Sequence, residues 1–253
     1  MNLACVILAA GKGSRMKGSV PKPLVKFEGK SFLEVALLAA KGTRPDEICV
    51  VVKHEREKIE NEAKRIFPSC IFAIQDQVPG TGRALECALD VLKPELQKDC
   101  VILVTASDIP LLSSSVLLSL LGEHKKSGAV ASMLVAEVDD PFGYGRIITS
   151  PDGQVEKIVE EKDASNQEKK VKLVNTSVYA FNAEALLKAQ GKVGRENAQG
   201  EVYLTDLFMM CKKSGKIMVS LCQDPILLRG VNDPLQLSAL ERDWKERGGH
   251  RIK

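Results

Sequence analysis

The chain has 253 residues, of which 44% are hydrophobic and 27% charged, the proportions of an ordinary globular protein with a sizeable core. Disordered, collagenous and coiled-coil architectures are excluded on that ground. Lysine and arginine number 36 against 33 aspartates and glutamates, a formal charge of +3, so a general affinity for nucleic acid has no support and any working positive charge must be local.

Through the first half, short β-branched apolar runs alternate with longer amphipathic ones. Strands are predicted over 3–9, 47–52, 70–74 and 100–105, with helices over 31–41, 54–67, 83–92 and 113–124. Apolar strands separated by helices imply an α/β fold whose parallel sheet is covered on both faces. Ser31 with Glu34 three residues on has the form of a capping box and marks the first helix start. After residue 129 the pattern changes to strands over 130–138, 146–149 and 155–160, a polar lysine-rich loop over 161–172, and a strand over 173–181. Helices over 183–189 and 203–213, a strand over 217–221 and a closing amphipathic helix over 234–247 complete the order. The lone Trp244 and the Met209–Met210 pair read as packing residues within helices. No repeat or linker divides the chain, which reads as one domain over 1–247 with lobes of about 1–128 and 129–230, then a closing helix over 233–247 and a flexible tail over 248–253.

The cysteines at 5, 49, 70, 87, 100, 211 and 222 form no Cys-x-x-Cys pair and sit mostly in apolar runs, so buried reduced thiols are expected. The apolar run over 3–10 is too short to span a bilayer, lacks a basic flank, and no other run approaches about 18 apolar residues. A cytoplasmic protein without membrane contact is expected.

The most informative segment is Leu8-Ala-Ala-Gly-Lys-Gly-Ser-Arg-Met16, directly after the first strand and followed by Pro21-Lys-Pro23. Gly11 and Gly13 lack Cβ atoms, so the backbone can approach a ligand and aim N–H groups at phosphate oxygens. Lys12, Arg15 and Lys22 surround that loop with cations, which suits a triphosphate. A dinucleotide fingerprint needs a third Gly or Ala where Met16 stands, and a P-loop needs Lys-Ser/Thr after its second glycine, where Ser19-Val20 stands. Taken alone, the glycines also fit a plain turn.

The same segment resembles the signature of the sugar-1-phosphate nucleotidyltransferases, L-x-x-G-x-G-[TS]-R-[ML] followed by P-K. Within that family it is most similar to the N-terminal uridylyltransferase domain of bacterial N-acetylglucosamine-1-phosphate uridylyltransferases. The likeness continues through Gln75 with Pro79-Gly-Thr-Gly82, Asp108-Ile-Pro-Leu111, Asp140-Pro-Phe-Gly-Tyr-Gly-Arg-Ile147, Ile158-Val-Glu-Glu-Lys-Asp-Ala164, Asn175-Thr176, Ala198-Gln-Gly-Glu-Val-Tyr-Leu-Thr-Asp206 and Gly230-Val-Asn-Asp233. The resemblance implies a Rossmann-like, mostly parallel sheet with helices on both faces, the nucleotide-diphospho-sugar transferase fold, carrying a smaller β-rich sugar-binding lobe beside the nucleotide lobe. It implies transfer of a uridylyl group from UTP to N-acetylglucosamine 1-phosphate, with release of pyrophosphate, for cell-wall and lipopolysaccharide precursors.

A sugar phosphate is already an anionic nucleophile, so no dedicated general base is needed, and His54, His124 and His250 form no triad pattern. The task is to align two anions and neutralise charge on the α-phosphate and the leaving pyrophosphate. By resemblance, Arg15 and Lys22 carry that out. Leu8, Ala9, Ala10, Gly11, Gly13, Gln75, Gly80 and Thr81 take the nucleotide, and Gly145, Glu160, Asn175 and Thr176 the sugar. A side-chain amide at Gln75 can both donate to and accept from a pyrimidine edge. Asp108 follows the most apolar strand, at the carboxyl end of the sheet where α/β folds bind ligands. With Asn232 it is the implied ligand pair for Mg²⁺, which prefers few protein oxygens plus phosphates and water. Thr205 and Asp206 fit a helix cap, and Glu201 a position facing the sugar.

Several residues depart from the family pattern: Ser107 for a glycine, Ala106 for an aromatic, Arg83 for a histidine and Ser177 for a glycine. They bear on preference, so dTTP or another sugar such as glucose 1-phosphate stands as the alternative. A non-catalytic binding subunit is the more distant one, opposed by the presence of Arg15, Lys22, Asp108 and Asn232. The hexapeptide repeats of a left-handed β-helix are missing from this sequence, so acetyl transfer and trimerisation are not expected, and a monomer or weak dimer is.

Overall fold

The computed structural model describes every residue except Met1, Lys17, Ser19, Pro94, Glu95, Lys98 and 250–253. The end of the expected tail therefore lies outside the described residues. In chain order the elements are β1 (Leu3–Leu8), the short pair β2 (Lys26–Phe27) and β3 (Lys30–Ser31), α1 (Phe32–Gly42), β4 (Glu47–Val52), α2 (Arg56–Ile66), β5 (Ile71–Ile74), α3 (Thr81–Leu92), β6 (Val101–Ala106) and α4 (Ser114–Ser127). There follow β7 (Ala131–Glu137), β8 (Arg146–Thr149), β9 (Val155–Val159), β10 (Leu173–Asn182), α5 (Ala183–Ala189), α6 (Leu204–Cys211), β11 (Ile217–Leu221) and α7 (Pro234–Glu246). The expected elements are all present, with ends shifted by a few residues. The sequence reading missed the two-residue strands β2 and β3, which are too short to carry a period.

Alternation along β1 explains the layering. Ala4, Val6 and Leu8 join a core with Leu85 and Leu89 of α3, Leu186 of α5 and Phe208 of α6, while Cys5 and Ile7 join a second core with Leu33 of α1, Ile59 of α2 and Leu117 of α4. Each strand face thus meets a helix layer, which is why these strands read as unbroken apolar runs rather than alternating ones. A third, smaller cluster holds Phe27, Phe32, Leu111, Ile226, Val231 and Leu240, and it seats α7 against the β2–β3 pair.

The strands form one nine-stranded sheet in the order β11-β7-β10-β6-β1-β4-β5, with the β8–β9 hairpin attached to β10 through Val174 and Arg146. Strands from both halves of the chain therefore share a single sheet. The pairings β1–β4, β1–β6, β4–β5 and β7–β11 are parallel; β10 is antiparallel to both β6 and β7. This reversal positions the site. Parallel strands deliver their carboxyl ends to one edge, and β10 delivers its beginning to that same edge, with Val178 opposite Thr105 and Asn175 opposite Val135. A bulge between Asn175 and Val178 turns the residues between them out of register.

Ser31 caps α1 as expected, accepting from the Glu34 amide at 3.1 Å. The reciprocal arm of the capping box is not made, because the Glu34 carboxylate pairs with Arg65 at 3.3 Å. No helix among the described residues is long and apolar enough to cross a membrane. All the cysteines are free and all but Cys222 are buried.

Candidate active site

The loop after β1 descends from a strand whose last residue, Leu8, accepts from the Ser107 amide at 3.1 Å, so the glycine loop and the end of β6 lie side by side. Gly13 has φ +62°, and a Cβ there would come 2.6 Å from Lys22 Cβ; its role is to let Lys22 pass close beneath the loop. Gly11 differs, since a Cβ there would meet nothing within 4 Å. Its bare backbone faces open space.

Four charged or polar side chains from distant parts of the sequence meet beyond these strand ends. The Lys22 ammonium donates to Asp108 Oδ2 and, at 2.9 Å, to Asn232 Oδ1. Arg15 donates to the same Asn232 oxygen at 3.2 Å. The Lys22 and Asp108 side chains retain only 12% and 23% of their exposure, so their attraction is weakly screened. Asn232 is brought in by the segment after a 3-10 turn at Pro225–Leu228, where the Val231 amide donates to the Asp108 carbonyl at 2.9 Å.

On one side of this meeting point lies a cavity of about 390 Å³ lined by Leu8, Ala10, Gly11, Lys12, Gln75, Gly80 and Thr81 among others. Of the residues expected around the nucleotide, Ala9 and Gly13 do not line it; the Ala9 side chain packs into the core. Gln75 is 8% exposed, and its Nε2 donates to the Val78 and Gly80 carbonyls, both at 3.0 Å. Both amide protons are committed to the protein, which corrects the expectation of a two-way reader: only Oε1 is left for a ligand. Gly80, at φ +115°, lies where a Cβ would come 2.2 Å from the Val202 carbonyl, so the 79–82 loop can dock against 202–204 only without a side chain there. Gly82 N donates to Val202 O at 2.8 Å and Leu204 N to Thr81 Oγ1 at 3.3 Å, closing that junction. Arg83 braces the loop from outside, bonding Asp76 at 2.7 Å and the buried Glu86 at 3.0 Å. The Arg83 guanidinium holds the exposed Asp76 carboxyl below its ordinary value.

On the other side a cavity of about 250 Å³ gathers Gly145, Glu160, Asn175 and Thr176, together with Tyr144, Tyr179, Glu201 and Thr205. Leu8, Thr81, Ala106, Asp108 and Glu201 line both cavities, which are therefore two ends of one cleft. Burial raises the Glu160 carboxyl above its usual range; the Thr205 hydroxyl, donating at 3.0 Å, opposes that rise, and Asp206, Asp163 and Glu201 reinforce it. Thr205 thus serves Glu160 and does not cap α6, whose N-cap position is Tyr203. Burial likewise raises Glu201 and Asp206. Asn175 Oδ1 accepts from the Ser177 amide at 2.9 Å, and Thr176 Oγ1 donates to the Leu134 carbonyl at 2.6 Å, so the Thr176 proton is not offered to the cavity.

The sequence reading did not find Tyr179, which lines this cavity and whose buried hydroxyl lies beside the Asn175 amide. Its signal in sequence is an aromatic two residues after a bulge, indistinguishable there from a core position. It also missed Tyr144, which accepts from Gly230 N at 3.3 Å and closes the wall between loop 139–145 and the Asn232 segment.

A glycine loop after the first strand, a carboxylate after β6 and a two-ended cleft along the carboxyl edge of a mostly parallel sheet are the arrangement of the nucleotide-diphospho-sugar transferase fold. The chain belongs to the family of the MobA-like NTP transferase domain, which it matches over residues 5–171. Over 239 residues it is 41% identical to "Bifunctional protein GlmU" of Bifidobacterium animalis subsp. lactis (strain AD011), covering 94% of this chain and 52% of the relative. The protein of the same name from Kineococcus radiotolerans is 43% identical over 245 residues, 96% of this chain and 49% of the relative. The chain thus spans about half the length of the curated relatives it matches. Its fold superposes with a TM-score of 0.76 on a UDP-glucose pyrophosphorylase complexed with UDP-glucose, at 16% identity over 98% of this chain and 100% of that one. A putative glucose-1-phosphate thymidylyltransferase from Bacillus anthracis gives 0.71, at 18% identity over 95% and 94%.

Proposed function

We propose that this chain transfers a uridylyl group from UTP to N-acetylglucosamine 1-phosphate. The observation that carries the reading is the convergence of Lys22, Arg15, Asp108 and Asn232 where the two cavities meet. The cleft is polarised: Lys22 and Arg15 stand at the junction, Glu160 with Asp206 behind it stands at the far end, and Glu201 lines the wall the two cavities share. A sugar phosphate entering it is driven to put its phosphate at the junction and its uncharged ring among the carboxyls. A phosphate oxygen then attacks the α-phosphorus of UTP, the bond from that phosphorus to the bridging oxygen breaks, and pyrophosphate leaves with the electron pair. Lys22 and Arg15 align the two anions and offset the charge that grows on the transferred phosphoryl oxygens. The free Oε1 of Gln75 suits the N3–H of uracil. The resemblance of the 8–16, 79–82 and 140–147 motifs to N-acetylglucosamine-1-phosphate uridylyltransferases supports the choice of UTP and the amino sugar.

The donor set also fits a divalent cation. Asp108 and Asn232 already direct two oxygens at one positive centre, the Lys22 ammonium. Among the described residues no group of three or more His, Cys, Asp or Glu is arranged to enclose a metal. Two protein oxygens completed by phosphates and water are what Mg²⁺ accepts. Bound there, Mg²⁺ would neutralise phosphate charge; the chain's own part is to hold Asp108 and Asn232 in place.

The test is Mg²⁺-dependent pyrophosphate release with UTP, dTTP, CTP or ATP against several sugar 1-phosphates. The fastest pair should be UTP with N-acetylglucosamine 1-phosphate. Asp108→Ala and Arg15→Ala should each remove turnover, by about 10²-fold or more, with melting temperature retained. A different preferred pair would reassign the substrate, and silence of the folded wild type across the panel would favour a binding subunit.

A further inference from the structure

We infer that Gln236 is a positioning residue for the reaction, acting through Asn232; this rests on the function proposed above. Residues 230–233 have no regular secondary structure, yet Asn232 must hold one amide oxygen against both Lys22 and Arg15. Besides the Gly230 amide on the Tyr144 hydroxyl, two bonds fix the backbone at Asn232 itself. The Val231 amide donates to the Asp108 carbonyl at 2.9 Å, and the Asn232 amide donates to Gln236 Oε1 at 2.7 Å. Gln236 is itself held by the start of α7, since its own amide donates to Asp233 Oδ1 at 2.9 Å.

The arrangement is a displaced capping box. Asp233 is the N-cap and Gln236 sits three residues on, but the returning side chain takes the amide of the residue before the cap. The consequence is specific to this site. A bond that ordinarily stabilises only a helix end here connects the first turn of α7 to the residue facing the cation centre. Without it, one partly buried amide loses its acceptor and the 230–233 segment is held only N-terminal to Asn232, by the Val231 and Gly230 amides. A displacement of the amide oxygen by a fraction of an ångström is then felt as rate rather than as substrate affinity.

The experiment compares wild type with Gln236→Leu, Gln236→Glu, Asn232→Ala and the double variant Asn232→Ala/Gln236→Leu. kcat and KM for both substrates are measured at saturating Mg²⁺, with melting temperatures, and Mn²⁺ binding in the presence of UTP is followed by calorimetry. Gln236→Leu should lower kcat by about tenfold, leave KM for the sugar phosphate within about twofold, and weaken Mn²⁺ binding. Gln236→Glu keeps the acceptor and should restore both. The double variant should be no slower than Asn232→Ala alone, because Gln236 has nothing left to act through. Wild-type kcat in Gln236→Leu, losses that multiply in the double variant, or a loss that tracks melting temperature and is not rescued by Glu would each overturn the proposal. Full turnover in Asn232→Ala would overturn the reading of the site with it, whereas an inactive Asn232→Ala beside an unaffected Gln236→Leu overturns the role of Gln236 alone.

Discussion

Removing the Glu161 carboxylate should destabilise the protein and loosen one end of the cleft together. Arg146, the first residue of β8, is 1% exposed, and its guanidinium meets Glu161 Oε2 at 2.6 Å. Its other partners are the carbonyls of Tyr144 and, at 3.4 Å, Lys169, while Nε has none. The same Glu161 oxygen accepts from the Gly143 amide at 3.0 Å, so one carboxylate fastens both the buried cation and the loop that carries Tyr144 and Gly145 into the smaller cavity. Glu161→Ala leaves the guanidinium buried without a counter-charge. Breaking a buried pair in that way costs about 3–5 kcal/mol, and because Glu161 retains 21% exposure the low end, about 3 kcal/mol, applies. For a chain of this length that is a fall of roughly 6–12 °C in melting temperature. Arg146→Met removes the charge at similar volume and leaves Glu161 partly hydrated, so it should cost less than Glu161→Ala. In steady-state kinetics Glu161→Ala should raise KM for the sugar phosphate more than KM for the nucleotide. A melting temperature within about 2 °C of wild type, or a larger loss in Arg146→Met, would refute the reasoning.

Three more outcomes follow from particular backbone and side-chain positions. Ser177 sits at φ +61° in the bulge of β10, held there by Asn175 Oδ1, so Ser177→Gly should stabilise by about 1 kcal/mol in urea unfolding. Gly11→Ala should melt like wild type and lose nucleotide affinity, because its methyl enters open space, whereas Gly80→Ala, 2.2 Å from the Val202 carbonyl, should cost about 2 kcal/mol or more. His124, 5% exposed with Nδ1 2.7 Å from Ser132 Oγ, is held below its ordinary 6.5 by burial. The unfolded chain therefore binds its proton first, and stability should fall as pH drops below 6.5 toward the depressed folded value; His124→Gln should flatten that slope in unfolding series.

The sequence carried the sheet because strands buried on both faces must be apolar throughout, and those runs at 3–9, 47–52 and 100–105 are unmistakable in composition. Of the residues that meet at the cation centre, the cluster of Arg15 and Lys22 beside the glycine loop is local and legible, whereas Asp108 and Asn232 entered only through the family resemblance. The direction of β10 was not legible: an apolar run has no sense, and only pairing with β6 and β7 reverses it. The spent protons of Gln75 were likewise out of reach, because the Val78 and Gly80 carbonyls that take them are oriented by a loop geometry that composition does not encode. Thr205 was misread for a related reason. A threonine at the start of a helix is an ordinary cap, and its partner Glu160 lies 45 residues away in sequence. Ser177 departs from the family's glycine, and its positive φ supplies the physical meaning of that departure.

The committed protons of Gln75 fix what the larger cavity can ask of a base. Turning the amide over would set Oε1 against two carbonyl oxygens and leave Nε2 facing the cavity, so the observed orientation is the one the loop enforces. The exposed atom is an acceptor, and the base must answer it with a donor. Uracil presents N3–H, whereas cytosine presents a bare N3 lone pair, so in the proposed nucleotide pose CTP loses one hydrogen bond and gains a repulsion. Leaving a buried acceptor unpaired costs about 1–3 kcal/mol, so UTP should exceed CTP by roughly 5- to 150-fold in kcat/KM. Thymine carries the same N3–H, so Gln75 gives no preference between UTP and dTTP, and any discrimination must come from elsewhere in the cavity. Gln75→Ala should compress the UTP-to-CTP ratio to a few-fold while lowering kcat/KM for UTP. Comparable kcat/KM for UTP and CTP in the wild type would mean that the base does not meet Gln75, and the assignment of the larger cavity to the nucleotide would fall with it.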